Sequence, residues 1–191
     1  MADSPKRLIV ALTGASGTPY AITLLKRLAQ RRIEIHGLIS SAGGKVLELE
    51  TGLRVQDIAG YMTVLYAEND FAAPVASGSF LHDGMIIIPC TMGTMGALAN
   101  GISNNLIHRA ADVTLKENRR LVLVARETPL NRVHITNMLR LAEAGATIMP
   151  AMPGFYHHPK TIEELVEDFV DRIMDNLGMP EPDAKRWGEK D

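Results

Sequence analysis

The 191-residue sequence predicts a three-layer α/β fold built on a mainly parallel sheet. Short apolar runs rich in β-branched residues alternate with segments of helical periodicity, which is typical of strands covered by helices on both faces. Small-residue turns follow two of these runs, at Thr13–Gly17 and Thr91–Thr94. This strand–turn–helix order is that of Rossmann-like and flavodoxin-like sheets. No internal repeat, low-complexity tract or linker divides the sequence, so we expect residues 1–191 to form one domain.

Composition limits the classes of function. The sequence is 46% hydrophobic, its net charge is −2, and its pI is about 6.3. These values favour neither a nucleic-acid partner nor a membrane. One cysteine excludes an internal disulfide and fits a reducing compartment. The N-terminal residues do not resemble a secretion signal, and no apolar run reaches transmembrane length, so we expect a soluble cytoplasmic protein.

The elements are predicted in chain order from apolar runs and helical periodicity. Strands are expected at Leu8–Leu12, Ile33–Ser40, Met85–Ile88, Leu121–Ala125 and Thr147–Met149, with a further short strand possible at Met62–Tyr66. Helices are expected after Gly17 and over Lys45–Glu50, Ile107–Asn118, Arg132–Ala144 and Ile162–Leu177. Thr161 and Glu164 have the spacing of a capping box that opens the last of these helices.

The segment from Met85 to Glu127 contains most of the residues that suggest chemistry. Its first strand leads into the turn Thr91–Thr94, where free backbone N–H groups could bind an anion. Arg109 and Lys116 are seven residues apart and therefore share one face of the predicted helix. The second strand ends at Arg126-Glu127. Because open α/β sheets bind ligands at the carboxyl ends of their strands, this unit predicts a phosphate site.

The glycine-rich turn Thr13–Gly17 also offers backbone N–H groups, but it is neither a GxGxxG motif nor a Walker A loop. A simple tight turn explains it equally well. Asp112 could pair with both Arg109 and Lys116 as an ordinary surface network. The small-residue segment Ala72–Ser79 is either a solvated connection or a lid that contributes to a neighbouring site.

Other reactive side chains have simpler interpretations. Cys90 stands at a strand end with no base following it, so we interpret it as a buried, inert thiol. His134, His157 and His158 lack the spacing of metal ligands, and no metal site is expected.

The sequence resembles the flavin prenyltransferases, formerly called 3-octaprenyl-4-hydroxybenzoate or phenylacrylic acid decarboxylases, over nearly its whole length. The matching segments are TGASG at 13–17, LIS at 38–40, ASGS at 76–79, ISNNLIHRAADVTLKENRRLVLVARETPL at 102–130, HITNML at 134–139, PAMPGFYHHP at 150–159 and RW at 186–187. RAADVTLKE followed by LVLVxRExPL is the most specific of these.

The resemblance implies an enzyme that transfers a dimethylallyl group from dimethylallyl phosphate to N5 and C6 of reduced FMN. The product, prenylated FMN, would serve a UbiD-type decarboxylase, as in ubiquinone biosynthesis or the decarboxylation of aromatic acids. The resemblance further implies a homo-oligomer, a dodecamer in relatives, with active sites between subunits. The Gly- and Ser-rich segment Ala72–Ser79 fits such an interface.

The resemblance also assigns residues to roles. FMN would be bound by Gly14, Ala15, Ser16, Ser40, Thr91, Met92, Gly93, Thr94 and Arg126. The donor would be bound by Tyr156, Arg172, Arg109, Lys116 and Trp187. Catalysis would involve Ser16, Glu50, Glu127, Lys116 and Arg109, with Glu50 and Glu127 handling protons. Many relatives have Lys where this sequence has Gly93, so only a backbone contact is expected there.

Two other functions remain open at the level of sequence. A flavin-dependent cysteine decarboxylase of similar fold would require a catalytic His after the second strand and a Pro-x-Met-Asn motif. This sequence has Ser40 at the first place and lacks the motif. A non-catalytic FMN-binding accessory subunit of a decarboxylase would not require the cations of a second phosphate site.

Overall fold

A computed structural model describes residues 6–182, 184, 186 and 188. Within them, six parallel strands form one sheet in the order β3-β2-β1-β4-β5-β6. The strands are β1 (Arg7–Leu12), β2 (Glu34–Ile39), β3 (Val64–Tyr66), β4 (Gly84–Cys90), β5 (Leu121–Ala125) and β6 (Thr147–Ile148). The helices are α1 (Thr18–Gln30), α2 (Ser41–Thr51), α3 (Val55–Ile58), α4 (Met92–Ala99), α5 (Leu106–Lys116), α6 (Arg132–Glu143) and α7 (Ile162–Asn176).

Helices cover the sheet on both faces, which confirms the three-layer prediction. Alternate residues of β1 point to opposite faces, because side chains alternate along a strand. Leu8 and Val10 pack in a core with α1, α2 and α7, whereas Ile9 and Ala11 pack in a second core with α4, α5 and α6. The strands are therefore buried on both faces, as their continuous apolar character predicts.

The strand order places the candidate site. After β1 the chain moves outward to β2 and β3, and it then returns to β4 on the other side of β1. The helices that follow β1 and β4 consequently diverge and leave a crevice at the carboxyl edge of the sheet. Such a switch point is where open α/β sheets bind ligands.

Most predicted elements agree with the structure to within a few residues. Strand β5 has the predicted bounds, whereas β4 continues past Pro89 to Cys90. Its pairing with β5 shifts register between Ile87 and Cys90. Because proline cannot donate a ladder hydrogen bond, this irregularity lets the strand pass through Pro89.

Two helix starts show how side chains set element boundaries. Helix α2 begins at Ser41, because the hydroxyl of Ser40 accepts a hydrogen bond from the Gly43 N–H at 3.0 Å. At α7 the Thr161 hydroxyl caps the Glu164 N–H at 3.1 Å. The Glu164 carboxylate, however, accepts from the Lys160 N–H instead of closing the predicted capping box.

The segment Ala72–Ser79 is a loop, as predicted, with one 3-10 turn at Pro74–Ala76. Arginine side chains hold it to α5 and to the following turn. The Nε of Arg109 donates to the Ala76 carbonyl at 3.1 Å, and Arg119 donates to the carbonyls of Gly78 and Phe80, both at 2.7 Å. Across the part of the chain that the structure describes, we find no helix long and apolar enough to cross a bilayer.

Candidate active site

Thr13 joins the two turns at the centre of the crevice. Its buried hydroxyl donates to the Pro89 carbonyl at 2.7 Å and accepts the Thr91 N–H at 2.9 Å. The glycine-rich turn after β1 is thereby fixed against the start of α4. The two small-residue turns of the sequence thus form one surface at the switch point.

The glycine-rich turn also packs closely on the first turn of α2. A Cβ on Gly14 would lie 2.6 Å from the Cβ of Ala42, so only glycine permits this approach. Among the described residues, the N–H groups of Gly14, Ala15 and Ser16 have no acceptor within the chain. Free donors in a concave turn beside a helix N-terminus fit a phosphate group.

The first turn of α4 offers a second set of donors. The Thr91 hydroxyl caps the helix by accepting the Thr94 N–H at 3.1 Å. The N–H groups of Met92 and Gly93 have no acceptor in the described part of the chain. A Cβ on Gly93 would meet nothing nearer than the Thr91 hydroxyl at 3.9 Å, so the missing side chain leaves open space.

Glu50, at the end of α2, occupies the N-terminus of α1. Its carboxylate accepts the N–H groups of Gly17 and Thr18 at 2.9–3.2 Å and the Thr18 hydroxyl at 2.7 Å. Burial raises the pKa of Glu50, but hydrogen bonds from Ser16, Thr18 and Gly17 outweigh burial and hold this pKa below its usual range. This geometry is that of a helix cap, and it leaves residues 14–16 as the open part of the turn.

Arg126 and Glu127 follow β5 at the same edge of the sheet. The Arg126 N–H donates to the Cys90 carbonyl at 3.3 Å, which places the pair beside the turn at Thr91. Both side chains are exposed. The Glu127 carboxylate accepts only the adjacent Thr128 N–H, at 2.9 Å, among the contacts of the described chain. It is therefore the less constrained of the two predicted proton-handling carboxylates.

Tyr156 and Arg172 come together in a cavity of about 370 Å³ beside the end of β5. The loop after β6, which contains Tyr156, passes the end of β5, because the Ala151 N–H donates to the Ala125 carbonyl at 2.8 Å. His157, which sequence reasoning considered only as a metal ligand, also lines the cavity, and its ring centroid lies 3.9 Å from that of Tyr156. Neither its spacing nor its neighbours in the sequence indicated this position.

Arg109 and Lys116 do not join Tyr156 and Arg172 within one subunit. Their helix, α5, packs on the opposite face of the sheet from α7. Lys116 ends α5 close to where β5 begins, which is the amino edge of the sheet. The predicted donor set is thus split between two distant surfaces of one chain.

The predicted network around Asp112 is half correct. Arg109 pairs with Asp112 at 3.0 Å, whereas Lys116 pairs with the neighbouring Glu117. This salt bridge lowers the pKa of Glu117, chiefly through the hydrogen bond from Lys116. Trp187, predicted to close over the prenyl group, lies outside the described residues.

Cys90 is buried, and burial raises the pKa of its thiol far above the ordinary value. This confirms that Cys90 is buried, as predicted. No group of three or more His, Cys, Asp or Glu side chains that could hold a metal ion occurs within the described ranges.

Comparison with known proteins identifies the family. Residues 1–177 match the Flavoprotein family. The flavin prenyltransferase UbiX of Pseudomonas aeruginosa is 45% identical over 202 residues, which cover 98% of this chain and 97% of that protein. This chain belongs to the flavin prenyltransferase family. The resemblance inferred from the motifs at 13–17 and 102–130 is therefore confirmed.

Two solved structures of this family extend the comparison. The structure of AnUbiX (PadA1) in complex with FMN and dimethylallyl pyrophosphate has a TM-score of 0.95 and 41% identity, covering 98% of this chain and all of that one. A dodecameric FMN-dependent UbiX-like decarboxylase from Escherichia coli O157:H7 has a TM-score of 0.93 and 42% identity, covering 96% and 100%. The fold of flavin prenyltransferases therefore extends over nearly the whole chain.

Proposed function

We propose that this protein transfers a dimethylallyl group from dimethylallyl phosphate to N5 and C6 of reduced FMN. The proposal rests on two separate features at one edge of the sheet, each of which offers hydrogen-bond donors to an anion. One is the open turn at residues 14–16, and the other is the Tyr156–Arg172 cavity. A protein that only bound FMN would need a single phosphate site.

FMN fits the switch point. Its phosphate is held by the N–H groups of Gly14, Ala15 and Ser16, with the Ser40 hydroxyl as a further donor because its O–H remains available while its oxygen caps α2. Thr91–Thr94 would line the flavin, with the N–H groups of Met92 and Gly93 available to it as donors. Arg126 contacts it from the end of β5. Reduced FMN, when bound, supplies the nucleophilic nitrogen and carbon that take the two prenyl carbons.

Tyr156 and Arg172 bind the phosphate of the donor. Breaking the allylic C–O bond leaves a phosphate dianion, so cations and O–H donors at that oxygen stabilise the transition state. Arg172 supplies a guanidinium and Tyr156 supplies a hydroxyl. The Ser16 hydroxyl hydrogen-bonds to Glu50 and would have to leave that carboxylate to reach the donor. Met149 and Phe169 form an apolar wall of the cavity, which limits the access of water to the allylic carbon as the phosphate leaves.

Glu127 would be the base that takes up the proton released from C6 of the flavin when the second bond forms. Its carboxylate is exposed at the strand end, and none of its contacts in the described chain is to a cation. Glu50, by contrast, is saturated with donors and has a lowered pKa, which makes it a poor base near neutral pH. We therefore assign the proton transfer to Glu127 and the integrity of the turn to Glu50.

Arg109 and Lys116 complete the donor site of a neighbouring subunit. Within their own chain they lie on the other face of the sheet from Arg172, so a second copy must present them. Large exposed apolar side chains support an assembly. Phe155 is 72% exposed, Met152 is 70% exposed and Val133 on α6 is 65% exposed. The assembly is a homo-oligomer, proposed to be a dodecamer, and its product passes to a UbiD-type decarboxylase.

A binding experiment separates the enzyme from an FMN-binding accessory subunit. Dimethylallyl phosphate is titrated by calorimetry into the FMN-loaded protein. We expect saturable binding that Arg172→Ala weakens by about tenfold or more, because a charge-assisted hydrogen bond is lost. Arg140→Ala is the matched control. Arg140 lies on α6, on the face of the sheet opposite Arg172, and its side chain contacts Asn100. FMN-loaded protein that binds no dimethylallyl phosphate would contradict the proposal.

A further inference from the structure

Asp175 lies one turn beyond Arg172 on α7 and joins two arginines. Its Oδ2 accepts from Arg172 Nη1 at 2.7 Å and from Arg186 Nη1 at 3.1 Å, and its Oδ1 accepts from Arg186 Nη2 at 3.0 Å. The side chain of Asp175 is only 17% exposed, whereas that of Arg172 is 58% exposed. The carboxylate of Asp175 thus binds both Arg172, which lines the donor cavity, and Arg186, which belongs to the C-terminal segment.

The two arginines hold Asp175 differently. Arg186 makes a two-pronged contact with both carboxylate oxygens, which is the stronger and more directional arrangement. Arg172 uses one nitrogen on one oxygen. Of the two, Arg172 is therefore the partner that can leave at lower cost.

Asp175 and Arg186 also line a cavity of about 250 Å³, whose other lining residues are Tyr156, His157, Asp168, Asp171, Arg172 and Ala184. The C-terminal segment therefore forms part of the wall around the proposed donor site. A third arginine, Arg31, holds the start of that segment, because it donates to the carbonyls of Met179 and Pro180, both at 2.9 Å.

The sharing of Asp175 by two arginines allows an exchange of partners. Two guanidinium groups, those of Arg172 and Arg186, share the one carboxylate of Asp175. Asp168 and Asp171 also line the cavity, and Asp171 is paired with Arg27. When a phosphate enters the cavity, Arg172 can turn to it while Arg186 continues to neutralise Asp175. Without Arg186, the same movement would leave a sheltered carboxylate with no cation, which is costly.

We propose that Arg186, acting through Asp175, releases Arg172 to the phosphate of the donor. Arg186 and Asp175 are positioning residues: neither needs to contact the donor. This inference rests on the proposed function, since it assumes that Arg172 binds the phosphate of dimethylallyl phosphate.

A double-mutant cycle tests the exchange. Arg186→Gln should raise the KM for dimethylallyl phosphate by about tenfold, because Arg172 is then retained by Asp175. Adding Asp175→Asn should lower that KM again, since the amide introduced there carries no charge that Arg172 must neutralise. Arg186→Lys, which keeps the charge and loses the two-pronged contact, should give an intermediate KM. The dissociation constant for FMN should stay within about twofold throughout.

The control is Asp57→Asn, which removes another carboxylate that pairs with an arginine three residues away on the surface. It should leave the KM unchanged. A double variant whose KM is as high as that of Arg186→Gln would overturn the exchange, because a merely structural role predicts no rescue. This outcome is distinct from failure of the proposed function, in which the wild-type protein itself forms no prenylated flavin.

Discussion

Replacing Glu50 with Gln should destabilise the glycine-rich turn while leaving some capacity for chemistry. Gln retains one acceptor oxygen of the two that hold Gly17 and Thr18, but it loses the negative charge at the N-terminus of α1. Loss of a complete cap costs roughly 0.5–2 kcal/mol, and loss of charge at a helix terminus costs roughly 0.3–1 kcal/mol. Because Glu50 is exposed to solvent, which weakens the effect of its charge, we expect a loss of about 1 kcal/mol.

Thermal unfolding with bound FMN measures this loss. In a chain of this size, about 1 kcal/mol corresponds to a fall of about 2–4 °C in Tm, compared at equal protein concentration. Glu48→Gln, two residues earlier and equally exposed on α2, should leave Tm unchanged, because the hydrogen bonds to the start of α1 come to Glu50. A Glu50→Gln protein with wild-type Tm and FMN affinity but a hundredfold slower reaction would refute the capping role, and it would restore Glu50 as a proton-transfer residue.

The pH dependence has a defined sign. The pKa of Glu50 is lower in the folded chain than in the unfolded chain, so its contribution to stability is present above the ordinary Glu pKa. The contribution is lost as pH falls through the lowered pKa of the folded state. The difference in Tm between the wild-type protein and Glu50→Gln should therefore shrink below about pH 4. A difference that grew on acidification would contradict this reasoning.

Three further predictions concern the site. Glu127→Gln should leave FMN binding intact and slow formation of the second bond. A singly alkylated flavin should then accumulate in rapid-mixing spectra. Formation of the finished product at the wild-type rate would exclude Glu127 as the base. Lys116→Ala should slow formation of the first bond, from N5 to the prenyl group, by roughly ten- to a hundredfold. Mixing Lys116→Ala subunits with Arg172→Ala subunits should recover part of the activity, because some of the mixed interfaces then contain both an intact Lys116 and an intact Arg172. No recovery in demonstrably mixed oligomers would contradict a shared site. Gly14→Val should abolish FMN binding, because its Cβ would meet that of Ala42 at 2.6 Å; retained binding would exclude the close approach.

The alternation of apolar runs and helical segments was sufficient to predict the layers and the parallel sheet. Strand β5 could be bounded correctly because charged residues flank five apolar ones. The end of β4 could not, since proline usually ends a strand and only the pairing partner shows that Cys90 resumes the ladder. The start of α2 depends on a hydrogen bond from Gly43 to Ser40, which glycine-rich sequence does not suggest.

The site was predicted unevenly for a physical reason. Periodicity correctly placed Arg109 and Lys116 on one helix, but periodicity does not state which face of a sheet that helix covers. Their separation from Arg172 therefore appears only in three dimensions. The same holds for Glu50, whose partners Gly17 and Thr18 lie 33 and 32 residues away in the chain. Asp175 carried no sequence signal at all, because its role depends on the path of the chain after α7.

Mass spectrometry of the flavin tests the central claim most directly. The purified protein is incubated without oxygen with reduced FMN and dimethylallyl phosphate, and the flavin is then released and weighed. We predict that FMN gains one C5H8 unit in the wild-type protein, that Arg172→Ala forms much less of this product, and that Arg140→Ala forms it normally. Unmodified FMN recovered from wild-type protein that binds both compounds would contradict prenyl transfer.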